Sequence, residues 1–190
     1  MIMVSTAEDS RPVVTVTGIT GYLGSHVTLI LLREGKYRVR GTVRSKTNAE
    51  KLDPIRNAFG QDLFDQLELV EADLLDNDSI ARAIQGSTYV VHVASPFMVE
   101  DPADEMELIR PAVEGTRSVM QAAYNAGVKR ICLTSSMVSC MFVTGPDGAP
   151  PEVIDESLWS DPNAPTISAY EKSKTLAERA AWDFLENCQT

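Results

Sequence analysis

Basic residues are in the minority in this chain. Seventeen lysines and arginines stand against 27 aspartates and glutamates, a formal charge of −10 over 190 residues. A surface of that sign does not track a phosphate backbone or an anionic bilayer, which argues against nucleic acid or membrane as the main partner. Cysteine is scarce as well. Cys132, Cys140 and Cys188 are odd in number and widely separated, so they form neither a disulfide framework nor a metal-ligand pattern. Their expected role is that of small buried apolar side chains. No apolar run approaches the roughly 20 residues that cross a bilayer. The first residues carry Glu8, Asp9 and Arg11 rather than a basic-then-apolar export signal. The expected compartment is therefore the cytoplasm, with residues 1–12 flexible. What remains, 44% apolar residues, suffices for one core, and a single domain over 1–190 is expected.

Within that domain, strand-like and helical segments alternate. Val13 to Thr17, Tyr37 to Arg44, Leu67 to Ala72, Thr88 to Ala94 and Arg130 to Ser135 read as five strands. Helices are expected over about Thr47 to Phe59, Asp76 to Gln85 and Asp104 to Ala126, the last ending at Gly127. Strict alternation implies right-handed crossovers, and hence an α/β fold with a doubly wound parallel sheet and helices on both faces. From residue 137 to 165 the pattern gives way to Gly145, Pro146, Gly148, Pro150, Pro151, Pro162 and Pro165, a long irregular loop of the kind that serves a site. A last helix restarts with capping-box spacing at Ser168 and Glu171. Ala177, Ala180, Ala181 and Phe184 give it a buried side suited to close packing on another helix. Glu178, Arg179 and Asp183 read as its solvated face.

The first strand runs straight into Gly18, Gly21 and Gly24, and Leu23, Val27, Ile30 and Leu31 follow at helical spacing. A strand, a tight glycine turn and a helix N-terminus together present N–H groups and the positive end of a helix dipole to an anion. Without side chains in the way, a diphosphate can approach that backbone, so a nucleotide cofactor is the expected ligand. In a doubly wound sheet ligands gather beyond the C-terminal strand ends. Strand two ends at Arg44, twenty positions after Gly24, where an NAD-binding chain carries an acid. A cation there, with Lys46 and Lys51 nearby, favours a 2′-phosphate and so NADP over NAD. Asp73, after strand three, either accepts from an adenine amino group or caps the next helix. His92 lies within an apolar strand and is expected to be a satisfied core histidine. The small residues that follow it leave room for a dinucleotide over the backbone.

Hydroxyls end strand five at Thr134, Ser135 and Ser136, and the last helix supplies Tyr170 and Lys174. Four residues apart, these two share a helix face. A free phenol is almost fully protonated at neutral pH, and a neighbouring ammonium together with an oxidised nicotinamide favours phenolate. The pair alone is a weak signal. The order of glycine turn, hydroxyl pair and Tyr-x-x-x-Lys helix is a strong one.

That order resembles the extended short-chain dehydrogenase/reductase family from Val13 onward. The segments that carry the likeness are Thr17-Gly18-Ile19-Thr20-Gly21-Tyr22-Leu23-Gly24, Asp73-Leu74, His92-Val93-Ala94-Ser95-Pro96, Thr134-Ser135-Ser136 and Tyr170-Glu171-Lys172-Ser173-Lys174. Within it, Val39 to Arg44, Asp155 to Ser160 and Lys172 to Glu178 are similar to the dihydroflavonol-reductase group, which includes cinnamoyl-CoA reductases and fungal aldehyde and ketone reductases. The resemblance implies a Rossmann-like fold and a Ser136, Tyr170, Lys174 catalytic set, with Ser136 rather than Ser135 as the matching serine. It also implies a dinucleotide held by Gly18, Thr20, Gly21, Tyr22, Leu23, Gly24, Arg44, Lys51, Asp73, Leu74, Val93, Ala94, Ser95, Tyr170 and Lys174, with no metal. Met141 stands where plant dihydroflavonol reductases often carry a polar residue, so a less polar aldehyde or ketone is the expected substrate.

The reaction so implied is reduction of a carbonyl by NADPH (NADP as cofactor). Two other readings stay open: a nucleotide-sugar epimerase or dehydratase, and a dinucleotide-binding module without catalysis. The family continues well beyond the Tyr-Lys helix into further strands and a substrate lobe, whereas this chain stops at Thr190. A missing C-terminal lobe and an unpaired hydrophobic sheet edge are expected in consequence.

Overall fold

Five parallel strands form one sheet, ordered β3-β2-β1-β4-β5, in a computed structural model that describes residues 9–98, 102–143 and 151–188. The strands are β1 (Val13–Thr17), β2 (Arg38–Val43), β3 (Glu68–Glu71), β4 (Tyr89–His92) and β5 (Arg130–Leu133). The helices are α1 (Tyr22–Glu34), α2 (Ala49–Phe59), α3 (Gln61–Phe64), α4 (Asn77–Ile84), α5 (Met106–Asn125), α6 (Val138–Met141) and α7 (Ala169–Cys188). Pairing runs outward from β1 in both directions, through β2 to β3 and through β4 to β5. A crevice therefore opens over the C-terminal ends of β1 and β4, where the winding reverses. In register, Thr17 faces His92 and Val43 faces Glu71, so the strand ends lie level beneath that crevice.

Strand β1 is buried along its whole length, and alternation sends its residues to opposite faces of the sheet, each of which has its own core. On one face Val14 and Val16 join Leu32 of α1, Leu52, Ile55 and Phe59 of α2, and Phe64 of α3. On the other, Val90 of β4 joins Ile80 and Ile84 of α4 with Val119, Ala122 and Ala123 of α5. Each such large side chain contributes about 1.5–3 kcal/mol when fully buried. Helix α7 lies against α5. Ala177, Ala180 and Ala181 are buried at that contact, and Phe184 meets Tyr124 edge to face with ring centroids 6.2 Å apart. The alanine spacing thus marks helix packing as expected. In α1 the buried stripe is Gly24, Thr28 and Leu32, whereas Leu23 and Ile30 are exposed. Apolar periodicity there announces a helix but not its inward face.

Several turns follow the sequence signals. Ser168 N–H donates to the Glu171 carboxylate at 2.7 Å while Glu171 N–H donates to the Ser168 hydroxyl at 3.3 Å, a reciprocal cap. Gly127 closes α5 at φ +68°, in the left-handed region. The cap of α4 is Asp76, whose carboxylate accepts from the N–H groups of Asp78 and Ser79 at 3.1 Å each. Asp73 is therefore not the helix cap. Its carboxylate accepts from Leu75 N–H at 2.9 Å in a local turn.

Other expectations are corrected. Cys132 and Cys188 are exposed and Cys140 is half-buried, so none is a core residue. Cys132 pairs in register with Val91 at the outer edge of the sheet, where the cover given by α1–α3 runs out. The segment expected to be flexible lies outside the described residues over 1–8. Residues 9–12, however, are tied down: Arg11 donates to the Gly35 carbonyl at 3.0 Å and pairs with Asp9 at 2.6 Å, and Arg38 N–H donates to the Pro12 carbonyl at 3.0 Å. In the segment 137–165, residues 144–150 (with Gly145, Pro146, Gly148 and Pro150) lie outside the described residues. The remainder is less irregular than expected, because α6 forms within it. Among the described residues β5 has no strand on its outer side, no helix is long and apolar enough to cross a membrane, and no side-chain cluster forms a metal site.

Candidate active site

Beyond β1 the chain turns at Gly18, whose φ is +70°, and any Cβ there would lie 2.9 Å from Cα of Ala94. Glycine is required twice over, by the left-handed backbone and by the close approach of the loop after β4. Gly24 lets α1 descend onto this turn, since a Cβ on it would sit 2.3 Å from the Gly18 carbonyl oxygen. Helix α1 then starts at Tyr22 behind Gly21, which has no side chain to cap it. The first-turn N–H groups of Tyr22, Leu23 and Gly24 are left for an external acceptor, with the helix dipole behind them. Tyr22 is 84% exposed. Thr20, Gly21, Tyr22 and Lys51 line a hollow of about 320 Å³ between α1 and α2, so the turn and Lys51 share one space.

Arg44 is exposed immediately after β2 and has no hydrogen bond or ion pair among the described residues, which leaves its planar fork open to a phosphate. Lys46 is exposed too, and its N–H donates to the Glu71 carboxylate at 2.7 Å. Asp73 is exposed at the end of β3. Leu74 turns inward against Gly115 of α5, so its backbone rather than its side chain faces a ligand. The donor set of free N–H groups, glycine cradle and unpaired guanidinium fits a dinucleotide diphosphate with a further phosphate beside it.

The loop after β4 is held by one hydroxyl. Thr17 Oγ1 accepts from the N–H groups of Val93 and Ala94, both at 3.0 Å, and lies 2.8 Å from His92 Nδ1. With both lone pairs engaged, its single proton goes to Nδ1, so His92 is neutral and carries its own proton on Nε2. Burial pushes the His92 pKa down to about 4, and the Lys174 ammonium acts in the same direction. His92 is thus a satisfied core residue, as its strand context implied.

On α7, Lys174 Nζ stands 5.8 Å from the Tyr170 ring centroid, and Phe97 meets the same ring edge to face at 5.6 Å. Burial lowers the Lys174 pKa. A space of about 10 Å³, close to the size of one water, is lined by His92, Ala94, Ser95, Ser135, Lys174 and Glu178. Lys174 is thereby joined to the ends of both β4 and β5. Ser136 is half-buried, and its hydroxyl has one long contact, 3.4 Å from Val138 N. No hydrogen bond links Ser136 to Tyr170 among the described residues.

Sequence reasoning passed over two features of this site. Phe97 lies one residue past the quoted His92-to-Pro96 segment and carried no signal of its own. Glu178 and Arg179 are half-buried rather than solvated: Glu178 accepts from the Ser135 hydroxyl, and Arg179 stacks over Trp159 at 5.2 Å. Asp183 is exposed as expected.

Residues 14–190 match the profile of the NAD dependent epimerase/dehydratase family. The chain belongs to that family. Within the epimerase/dehydratase family, it is 40% identical over 176 residues to cinnamoyl-CoA reductase 1 of Petunia hybrida, covering 92% of this chain and 50% of the relative. It is 39% identical over 183 residues to dihydroflavonol 4-reductase of Hordeum vulgare, covering 93% and 50%. Among solved structures, yeast methylglyoxal/isovaleraldehyde reductase Gre2 complexed with NADPH superposes with a TM-score of 0.74 at 27% identity, covering 93% of this chain and 54% of that one. The chain thus spans about half the length of the curated relatives it matches. The resemblance to the extended short-chain dehydrogenases and their dihydroflavonol-reductase group is borne out.

Proposed function

We propose that this chain carries the cofactor-binding and proton-donating half of an NADPH-dependent reductase that converts an aldehyde or ketone to an alcohol. The observation that carries the reading is the meeting of Lys174 with the ends of β4 and β5, with Tyr170 beside it and packed on Phe97, next to the loop that packs on the Gly18 turn. The names of the Petunia and Hordeum relatives, both reductases, and the NADPH held by Gre2 support it. Arg44 and Lys51, with Lys46 nearby, receive the 2′-phosphate, and the turn at Gly18 to Gly24 receives the diphosphate. Backbone groups of Asp73, Leu74, Val93, Ala94 and Ser95 line the remaining path of the dinucleotide.

When bound, NADPH supplies the hydride that attacks the carbonyl carbon. Tyr170 gives its phenolic proton to the carbonyl oxygen, so that one hydride and one proton complete the alcohol. The Lys174 ammonium stabilises the phenolate left behind. Ser136 Oγ donates a hydrogen bond to the same substrate oxygen and orients it. Phe97, Met137 and Met141 rim this end of the sheet as exposed apolar side chains, which suits a carbonyl compound of low polarity.

The test is NADPH oxidation over a panel of aldehydes and ketones, with Tyr170→Phe as control. That substitution is expected to lower turnover by about 100-fold or more while NADPH affinity stays within about threefold. Equal turnover in the variant refutes the proton donor. Clear NADPH binding with no carbonyl reduced at all identifies a dinucleotide-binding module instead.

A further inference from the structure

The two serines at the end of β5 are committed very differently. Ser135 Oγ donates to the Glu178 carboxylate and stands 3.3 Å from Ser139 Oγ. A hydroxyl has one proton to give, so that of Ser135 is spent on Glu178. The proton of Ser136 has no acceptor among the described residues, and its oxygen meets only the Val138 N–H. One serine serves the scaffold and leaves the other free for chemistry.

The far side of the same segment is held by Ser160, which is fully buried. Its hydroxyl donates to the Val138 carbonyl at 2.6 Å and accepts from Phe142 N–H at 2.9 Å, and its N–H donates to the Ser139 carbonyl at 2.7 Å. Arg179 in turn donates to the Ser160 carbonyl at 3.2 Å while stacking on Trp159. Neighbouring side chains of α7 therefore reach the turn of α6 by two routes, Glu178 through Ser135 and Arg179 through Ser160. Tyr170, Lys174 and Glu178 follow one another at four-residue steps, so a single rigid rod carries the proton donor, its cation and the anchor of the serine.

We propose that Glu178 and Arg179 are positioning residues that set the Ser136 hydroxyl relative to Tyr170 and Lys174. The inference rests on the reading of Ser136 as the group that orients the substrate oxygen. Misplacing such a group by about 1 Å costs about 100-fold in rate, and among the described residues these side-chain ties add direction to the packing of α6 on α7.

Kinetics and amide hydrogen exchange test it together. Glu178→Ala is expected to lower kcat for carbonyl reduction by about 30-fold, with KM for NADPH within about twofold. Glu178→Gln keeps an oxygen acceptor for Ser135 and is expected to recover kcat to within about threefold of the parent. Adding Ser135→Ala to Glu178→Ala is expected to cost nothing more, because both remove one contact. An unchanged kcat in Glu178→Ala, no recovery in Glu178→Gln, or losses that multiply overturns the proposal. Exchange needs no turnover. In Glu178→Ala and in Arg179→Leu the amides of 136–142 are expected to exchange about tenfold faster while those of β1 and α1 keep their protection. Unchanged protection overturns the proposal whether or not the chain reduces a carbonyl, which separates its failure from failure of the reductase reading.

Discussion

Thr17, His92 and Arg44 show how single side chains set the chemistry of this fold. His92 is held neutral by burial and by the hydroxyl of Thr17, and its pKa lies at about 4 against an ordinary 6.5. Because the folded value lies below the unfolded one, the unfolded chain takes up the proton first as the pH falls. Stability is therefore complete above about pH 6.5 and declines toward pH 4, by about 3 kcal/mol from this residue alone. Urea unfolding across that range is expected to show the decline, and His92→Gln is expected to flatten it. Arg44 stands exposed just after β2, where its guanidinium has no partner among the described residues. Replacing it with alanine removes charge-assisted hydrogen bonds worth about 2 kcal/mol. The expected result is NADPH affinity about 30-fold weaker with NADH affinity little changed, measured by fluorescence titration.

Elements were legible where the physics is local. The apolar runs of β1 and β4, the reciprocal cap at Ser168 and Glu171 and the left-handed stop at Gly127 all depend on neighbours in the chain, and all form as expected. The glycine turn is of the same kind, and it yields a sharp prediction. Gly24→Ala places a methyl group against the Gly18 carbonyl, a backbone atom with nowhere to go. A destabilisation of about 2 kcal/mol or more is expected, with loss of NADPH binding, read by thermal unfolding and by titration. What the sequence did not disclose depends on distant partners. The carboxylate of Glu178 looks like a solvated charge until Ser135, 43 positions earlier, comes to meet it. The inward face of α1 falls on Gly24, Thr28 and Leu32 because the sheet selects small or narrow residues there, which hydropathy alone does not reveal. Asp76 rather than Asp73 caps α4 for a similar reason, since the chain after β3 runs three residues further before it turns into the helix.

At the scale of the molecule, the sheet is enclosed by helices at β1 and open at β5. That asymmetry explains why Cys132 escapes burial although its strand reads as apolar. In the native state Cys132 and Cys188 are expected to react with a thiol reagent at close to the free-cysteine rate, and the half-buried Cys140 more slowly. Mass spectrometry of the labelled chain resolves the sites, and slow labelling of Cys132 indicates that the edge is covered in solution. Helix α7 spans the whole arrangement, from the phenol near its start to the serine anchor at its midpoint. Such an arrangement has a helical phase as well as a composition. One alanine inserted between Lys174 and Glu178 would leave every functional side chain present. It would nevertheless rotate the later ones by about 100° and shift them by about 1.5 Å, putting proton donor and serine out of step along a common shaft.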